Sequence, residues 1–221
     1  MPMKLRYLLL LLLPMLAACD PIAQAPSSPP AVVGTRAVIQ RHRQEIYAEI
    51  TAVTGKLVTT EMYIHGEPVA EFSAYRGLYP VSGREPQYQY EADFDEAILE
   101  QLFPLAVGKE VSFSGNIKRL DRGTSYNFWS HVSVIGEKTL SLSSGDRQVF
   151  VVDIVTETSS SSRTKRKTQT VYFDPELSMV LKSVQHEDGY KDYWFVISVE
   201  RPGEGTNRTA PPQPRSGTVI I

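Results

Sequence analysis

From Glu110 onward the chain alternates apolar and polar residues almost without interruption, and that alternation limits its folds more than any other feature. Val111, Phe113 and Ile117 stand against Ser112, Ser114, Asn116 and Lys118. A period of two sends successive side chains to opposite faces, so one face of each segment is wet and the other needs a core; this is the pattern of antiparallel strands. Asp121-Arg122-Gly123 turns the first strand back into Tyr126, Phe128, Val132 and Val134. A step at Gly136-Glu137 and a turn at Ser144-Gly145-Asp146 follow. Val149 to Val155 is apolar on both faces, which predicts a central strand. Thr168 to Phe173, Met179 to Val184 and Tyr193 to Val199 then form a meander, with turns at Asp174-Pro175-Glu176 and Glu187-Asp188-Gly189. In the first turn proline has the φ that position i+1 requires, and Asp174 can accept hydrogen bonds from the turn backbone. Upstream, Leu57 to Ile64 and Val69 to Arg76 read as a hairpin about Gly66.

Two segments read as helices. Ile39, Ile46, Ile50 and Val53 recur at spacings of seven, four and three, which predicts a helix over Ala37 to Thr54 ended by Gly55. A second runs from Asp93 to Phe103, with Asp93 and Glu96 as a capping pair, Phe94, Ala97, Ile98 and Leu102 on one stripe, and Pro104 as its stop. The expected fold is therefore α+β: a curved antiparallel β-sheet of roughly eight to ten strands, a half-barrel or open barrel, with two helices packed on one face.

The N-terminus supplies an address. Lys4 and Arg6 precede an apolar run from Tyr7 to Leu16, too short to span a bilayer, and then the small Ala17 and Ala18. Leu16-Ala17-Ala18-Cys19 resembles the lipobox of bacterial lipoproteins, in which a peptidase cuts before a cysteine already carrying diacylglycerol. The resemblance implies a signal peptide over 1–18, acylation of Cys19, and a membrane-anchored envelope protein facing the periplasm, with inner or outer membrane left open. Three acyl chains give lasting attachment where one gives only marginal binding. Cys19 is the only cysteine, so no disulfide forms within the mature chain, and stability must come from a packed core.

Residues 19–36 read as a Pro- and Ser-rich tether, able to hold a single globular domain over 37–200 up to roughly 50 Å from the bilayer, and residues 201–221 as a disordered tail. Loss of Lys4 and Arg6 with the leader leaves 21 bases against 25 acids. That balance offers nucleic acid no basic surface. The four histidines, His42, His65, His131 and His186, are scattered without ligand spacing, so no metal and no cofactor are expected.

Tyr172-Phe173-Asp174-Pro175-Glu176-Leu177, with Val180 and Lys182 following and Leu102-Phe103-Pro104-Leu105 and Gly108-Lys109 upstream, resembles a broad group of uncharacterised bacterial envelope proteins. Ser178 departs from that pattern, which usually has glycine there. The resemblance implies a fold and a compartment and carries no catalytic residue.

Three surfaces are candidates for function. Tyr75, Tyr79, Tyr88 and Tyr90, with Trp129 and His131, could form an aromatic platform for a ligand or partner. Arg163, Lys165, Arg166 and Lys167, on a polar hairpin tip, are placed to meet anionic head groups. His131 shares a strand face with Trp129 and Ser133, near a strand bearing Asp153, which would suit a nucleophile constellation. No Gly-x-Ser-x-Gly elbow and no phosphate loop accompanies it. The reading that follows is a non-enzymatic binding or scaffolding lipoprotein that holds an apolar ligand or a protein segment in a sheet concavity and has an envelope protein or lipid as partner. The alternatives are an envelope hydrolase using His131 and a structural lipoprotein without a ligand.

Overall fold

The computed structural model describes residues 25–159 and 164–203; the leader, Cys19, Arg163 and the tail from 204 lie outside the described residues. Twelve strands follow one another in the order β1 (Arg36–Arg41), β2 (Gln44–Thr54), β3 (Leu57–Ile64), β4 (Glu67–Tyr75), β5 (Tyr79–Glu85), β6 (Tyr88–Phe94), β7 (Glu110–Arg119), β8 (Thr124–Leu142), β9 (Gly145–Ser159), β10 (Thr164–Asp174), β11 (Met179–Glu187) and β12 (Tyr190–Glu200). Each pairs antiparallel with its neighbours in sequence, and β1 pairs with β12, so the sheet closes into an up-and-down barrel with no free edge.

This overturns the α+β expectation of an open sheet of eight to ten strands under two helices. The segment Ala37 to Thr54 is a hairpin, not a helix. Ala37 and Ile39 on β1, and Ile46, Ala48 and Ile50 on β2, are buried at a strict period of two. The helical reading passed over both alanines, which matter here because small side chains suffice on an inward face. The turn at His42-Arg43 contains no glycine or proline, and His42 itself takes a φ of 54°. The second helix shrinks to α1 (Glu96–Glu100), capped by Asp95 instead of Asp93, with the Asp95 carboxylate accepting from the Ala97 N–H at 2.9 Å. Asp93 and Phe94 finish β6 instead. The helix lies on no sheet face: Leu99 and Leu102, fully buried, put it in the end of the barrel as a plug.

Along most of the barrel apolar side chains point in and charges point out. Glu49, Glu61, Glu71, Lys118, Asp153 and Lys182 alternate along their strands with inward neighbours such as Ile50, Thr60, Phe72, Ile117, Ile154 and Leu181. Among the described residues these charges make the outer face of the strands polar along their length.

The core has two parts. One gathers Phe94, Phe113 and Phe128 with Tyr79, ring centroids 4.9 to 6.2 Å apart, beneath α1. The other gathers Ile39, Ile46, Ile50, Leu177, Leu181 and Val196. At the Val134–Gly136 bulge β8 changes register, and the far half of the β8–β9 hairpin lays Leu140, Leu142 and Val149 against this second cluster. There the Ser143 N–H donates to Ile197 at 2.8 Å. Val149 packs in the second cluster while Val152 and Ile154 pack in the first, so the apolar run reflects coverage on both faces.

Half of the expected tether is tied down. The Pro26 carbonyl accepts from Arg76 at 2.7 Å, Pro29 and Thr35 are buried, and the Gly34 N–H donates to Ile50. Arg201, where the tail was expected to begin, donates to the Glu176 carbonyl.

Candidate functional site

The two ends of the barrel differ, and the difference creates a site. At one end the connections after β2, β4, β6, β8 and β10 close the barrel. Glu100 on α1 accepts from Arg76 Nε and Nη2 at 2.9 and 2.6 Å, from the Tyr75 hydroxyl at 2.6 Å, and lies 3.2 Å from Lys56 Nζ. Burial alone would raise this carboxyl, but the three donors outweigh it and hold its pKa at about 2. Asp174, wholly buried, accepts from Arg147 and from the N–H groups of Glu176 and Leu177, the turn chemistry expected of Asp-Pro-Glu-Leu. Ser178 has a φ of 49°, in the left-handed region where glycine is cheaper. Gly77 touches it from across the barrel: a Cβ on Gly77 would lie 1.7 Å from the Ser178 carbonyl oxygen.

That contact is the floor of a cavity of about 360 Å³ which opens at the other end. Gly77, Leu78, Ser178 and Met179 form its base, and Ile46, Val58, Met62, Phe72, Ile154 and Val171 its walls. Towards the mouth the same inward faces become polar, with Arg41, Glu85, Tyr90, Lys167, Gln169, Gln185 and Asp192 around the indole of Trp194. The register explains the transition. On β10 the inward series is Lys165, Lys167, Gln169, Val171, Phe173, from mouth to floor. Lys167 lies opposite Glu187 on β11, and Gln169 opposite Gln185.

Most charges at the mouth are already paired. Asp192 takes Arg41 at 2.7 Å and His42 at 3.2 Å; Glu187 takes Lys165 at 3.4 Å; Glu85 is exposed on the rim. Lys167, half-buried, has no hydrogen bond or ion pair to any described residue. Burial pushes its ammonium group down, against the pull of Glu187 and Asp192. A cavity with apolar walls and a few convergent polar groups has the build of a small-molecule site.

The structure does not bring the four tyrosines together. Tyr75 and Tyr79 are core residues, the first bonded to Glu100 and the second packed against Phe94 and Phe113. Tyr88 and Tyr90 lie near the mouth, Tyr88 under the Arg119 guanidinium at 3.9 Å and Tyr90 lining the cavity; burial raises both phenols. Trp129 and His131 are elsewhere, stacked on each other on the outer face of β8. Lys165 and Arg166 flank the mouth, at the end of the barrel away from Pro26, and their sister Arg163 is outside the described residues.

His131 does meet a hydroxyl and an acid, though different ones from Ser133 and Asp153. Ser112 Oγ is 2.8 Å from its Nδ1 and Glu110 is 3.7 Å from its Nε2, across the β7–β8 pair. Asp153 instead accepts from Thr170 at 2.6 Å. A cleft beside Trp129, lined by Ser114, Gly115, Asn127, Phe128, Trp129, Glu157 and Ser159, includes neither Ser112 nor His131. Among the described residues no group of three or more His, Cys, Asp or Glu is placed to hold a metal ion. Of the mouth residues, the sequence reading named Tyr90 for a ligand platform and Lys167 for another purpose, and passed over Arg41, Glu85, Gln169, Gln185, Asp192 and Trp194. Their signal was available as inward parity continuing beyond the last apolar residue of each strand.

No protein-family model matches the chain, and no curated protein matches it. Among solved structures it is similar to the hypothetical lipoprotein YmcC of Escherichia coli K12, with a TM-score of 0.52 and 12% identity over 76% of this chain and 85% of that one. A Bacteroides fragilis NCTC 9343 protein with a YmcC-like fold scores 0.45 at 7% identity, covering 80% of this chain and all of that one. At such identities what is shared with YmcC is the fold, and the barrel described above is therefore one that a hypothetical bacterial lipoprotein also adopts.

Proposed function

We propose that the protein is an acylated lipoprotein of the bacterial envelope that binds a ligand, without transforming it, in the cavity at the open end of its barrel. The observation that carries the reading is the asymmetry of the barrel: a sealed floor of Gly77, Leu78 and Ser178, and a mouth left open above apolar walls. The leader and Leu16-Ala17-Ala18-Cys19 support the anchor.

The folded N-terminal segment adds an orientation. Pro26 is fastened at the sealed end, so only the seven residues back to Cys19 can serve as leash, at most about 25 Å of extended chain. The mouth lies a strand's length away, about 30 Å on β10. A barrel standing on its anchor presents the mouth, with Lys165 and Arg166, away from its own bilayer. Contact between those cations and the anchoring membrane requires the barrel to lie on its side.

Two measurements test the reading. Intact mass of protein extracted from cells should show an acylated Cys19, and Cys19→Ser should release the chain from the membrane fraction. Native mass spectrometry of the lipidated protein, taken from its own membranes, should show a small bound molecule that is lost when Ala74→Trp fills the cavity. An unmodified thiol sinks the anchor; the same molecule retained by the filled variant sinks the cavity.

The Ser112–His131–Glu110 row supports hydrolysis as a second reading. A serine-directed phosphonate should then label Ser112 and fail on Ser112→Ala; no difference between the two would dispose of it.

A further inference from the structure

The cavity has a chemistry of its own, and the following rests on the binding reading above. We propose that its ligand is a small single-chain amphiphile with one anionic head, the chain lying against Ile46, Val58, Phe72 and Val171 and the head held by Lys167.

The walls select the chain. From Gly77 and Leu78 up to Met62 and Ile154 the lining is mostly apolar, so each methylene of a hydrocarbon entering it gains by leaving water. A cavity of about 360 Å³ is near the lower limit for drug-sized ligands, which favours one chain over two.

The mouth selects the charge. Each carboxylate close to Lys167 already has a cation: Asp192 has Arg41 and His42, and Glu187 has Lys165. Glu85, exposed on the rim, is free to stay in water. The ammonium that remains is set back from the rim, on the inward face of β10 two residues from Gln169, whose amide nitrogen is committed to Ser183 at 2.9 Å. A half-buried cation without a partner costs the fold stability, and an incoming anion would remove that cost. A ligand cation would meet Lys167 directly, and a neutral chain would leave it as it is. Carboxylate and phosphate monoester heads share the required chemistry.

Trp194 lines the cavity, while Trp129, the only other tryptophan, is on the outer face. Trp129→Phe therefore leaves one indole that reports from the site. The lipidated full chain in zwitterionic nanodiscs, carrying that substitution, is titrated with octanoate, octyl phosphate, octanol and octyltrimethylammonium, with empty nanodiscs as blank. Octanoate or octyl phosphate should shift Trp194 emission saturably, and whichever binds tighter identifies the head. Lys167→Gln and Lys167→Met should each weaken anion binding about tenfold to a hundredfold, the range of a hydrogen bond to a charged group. Lys167→Met, which keeps the bulk and removes the charge, should hold octanol as well as the parent does, and so separates loss of the anchor from loss of the fold. If octanol and octanoate bind alike and neither Lys167 variant changes them, the anionic head is wrong while the cavity reading survives. If no probe shifts Trp194, both fall together.

Discussion

The sealed end and the open end of the barrel are built from the same twelve strands and spend their charges differently. At the sealed end Glu100 and Asp174 each gather several donors, Asp174 in full burial and Glu100 against a buried guanidinium, and Arg76 is bound on three sides by Glu100 and the Pro26 carbonyl. At the mouth the pairs Arg41–Asp192, Lys165–Glu187 and Arg166–Glu157 are partly or fully in water, where such pairs contribute 1 kcal/mol or less. The same kinds of residue therefore hold the structure at one end and leave it open to visitors at the other. A carboxylate's contribution follows from how much water its partners exclude.

The sharpest way to break that contrast is to disturb the floor. Gly77→Ala places a Cβ at 1.7 Å from the Ser178 carbonyl and also forces a side chain onto a φ of +74°. Both turns must move apart, and the expected loss is about 4 kcal/mol in denaturant unfolding. A loss below about 1 kcal/mol would mean that the two turns do not meet in solution and that the cavity runs through to the sealed end.

Glu100→Ala is expected to cost somewhat less, about 3 kcal/mol, because it strands Arg76, whose side chain is 5% exposed. Acid should do the same work reversibly. Glu100 is held at about 2 against an ordinary 4.5, so its contribution is complete above pH 4.5 and is lost as the pH falls towards 2, where the folded state also takes up the proton. Unfolding free energies measured between pH 5 and 2 should fall by about 3 kcal/mol more in the parent than in Glu100→Ala. Parallel curves would show that another carboxylate dominates.

These residues also mark what could be read in the sequence. Several hairpins were legible where glycine or proline wrote the turn: Leu57 to Ile64 coincides with β3, and the meander around Asp174 and Gly189 corresponds to β10, β11 and β12, whereas β5 and β6 were missed although Pro86 stands between them. The first hairpin was not, because its turn is His42-Arg43 and its isoleucines fit a helical spacing as well as a strand's. Closure was beyond a local reading. It rests on pairing of Arg36–Arg41 with residues 194–200, segments more than 150 positions apart with nothing in either that names the other. The mouth was hidden for a different reason: a lysine between serines and threonines reads as a solvated tip until closure of the barrel turns its side chain inward.

The smallest expected effect is the one that decides whether the mouth is tuned for stability at all. Lys167 keeps a charge where burial disfavours it, so its folded pKa lies below the ordinary 10.5. Between that lowered value and 10.5 the unfolded chain holds more protons than the folded one, and stability rises with pH through this window; at neutral pH the charge is a net cost. Lys167→Met should therefore stabilise the barrel, by about 1 kcal/mol, with a flatter pH dependence above neutrality. Loss of stability would mean that Lys167 supports the wall as Arg76 supports the cap, and the two ends would then differ in degree only. A gain, coupled with weaker binding of octanoate, is what a residue retained for a ligand at the expense of the fold must show.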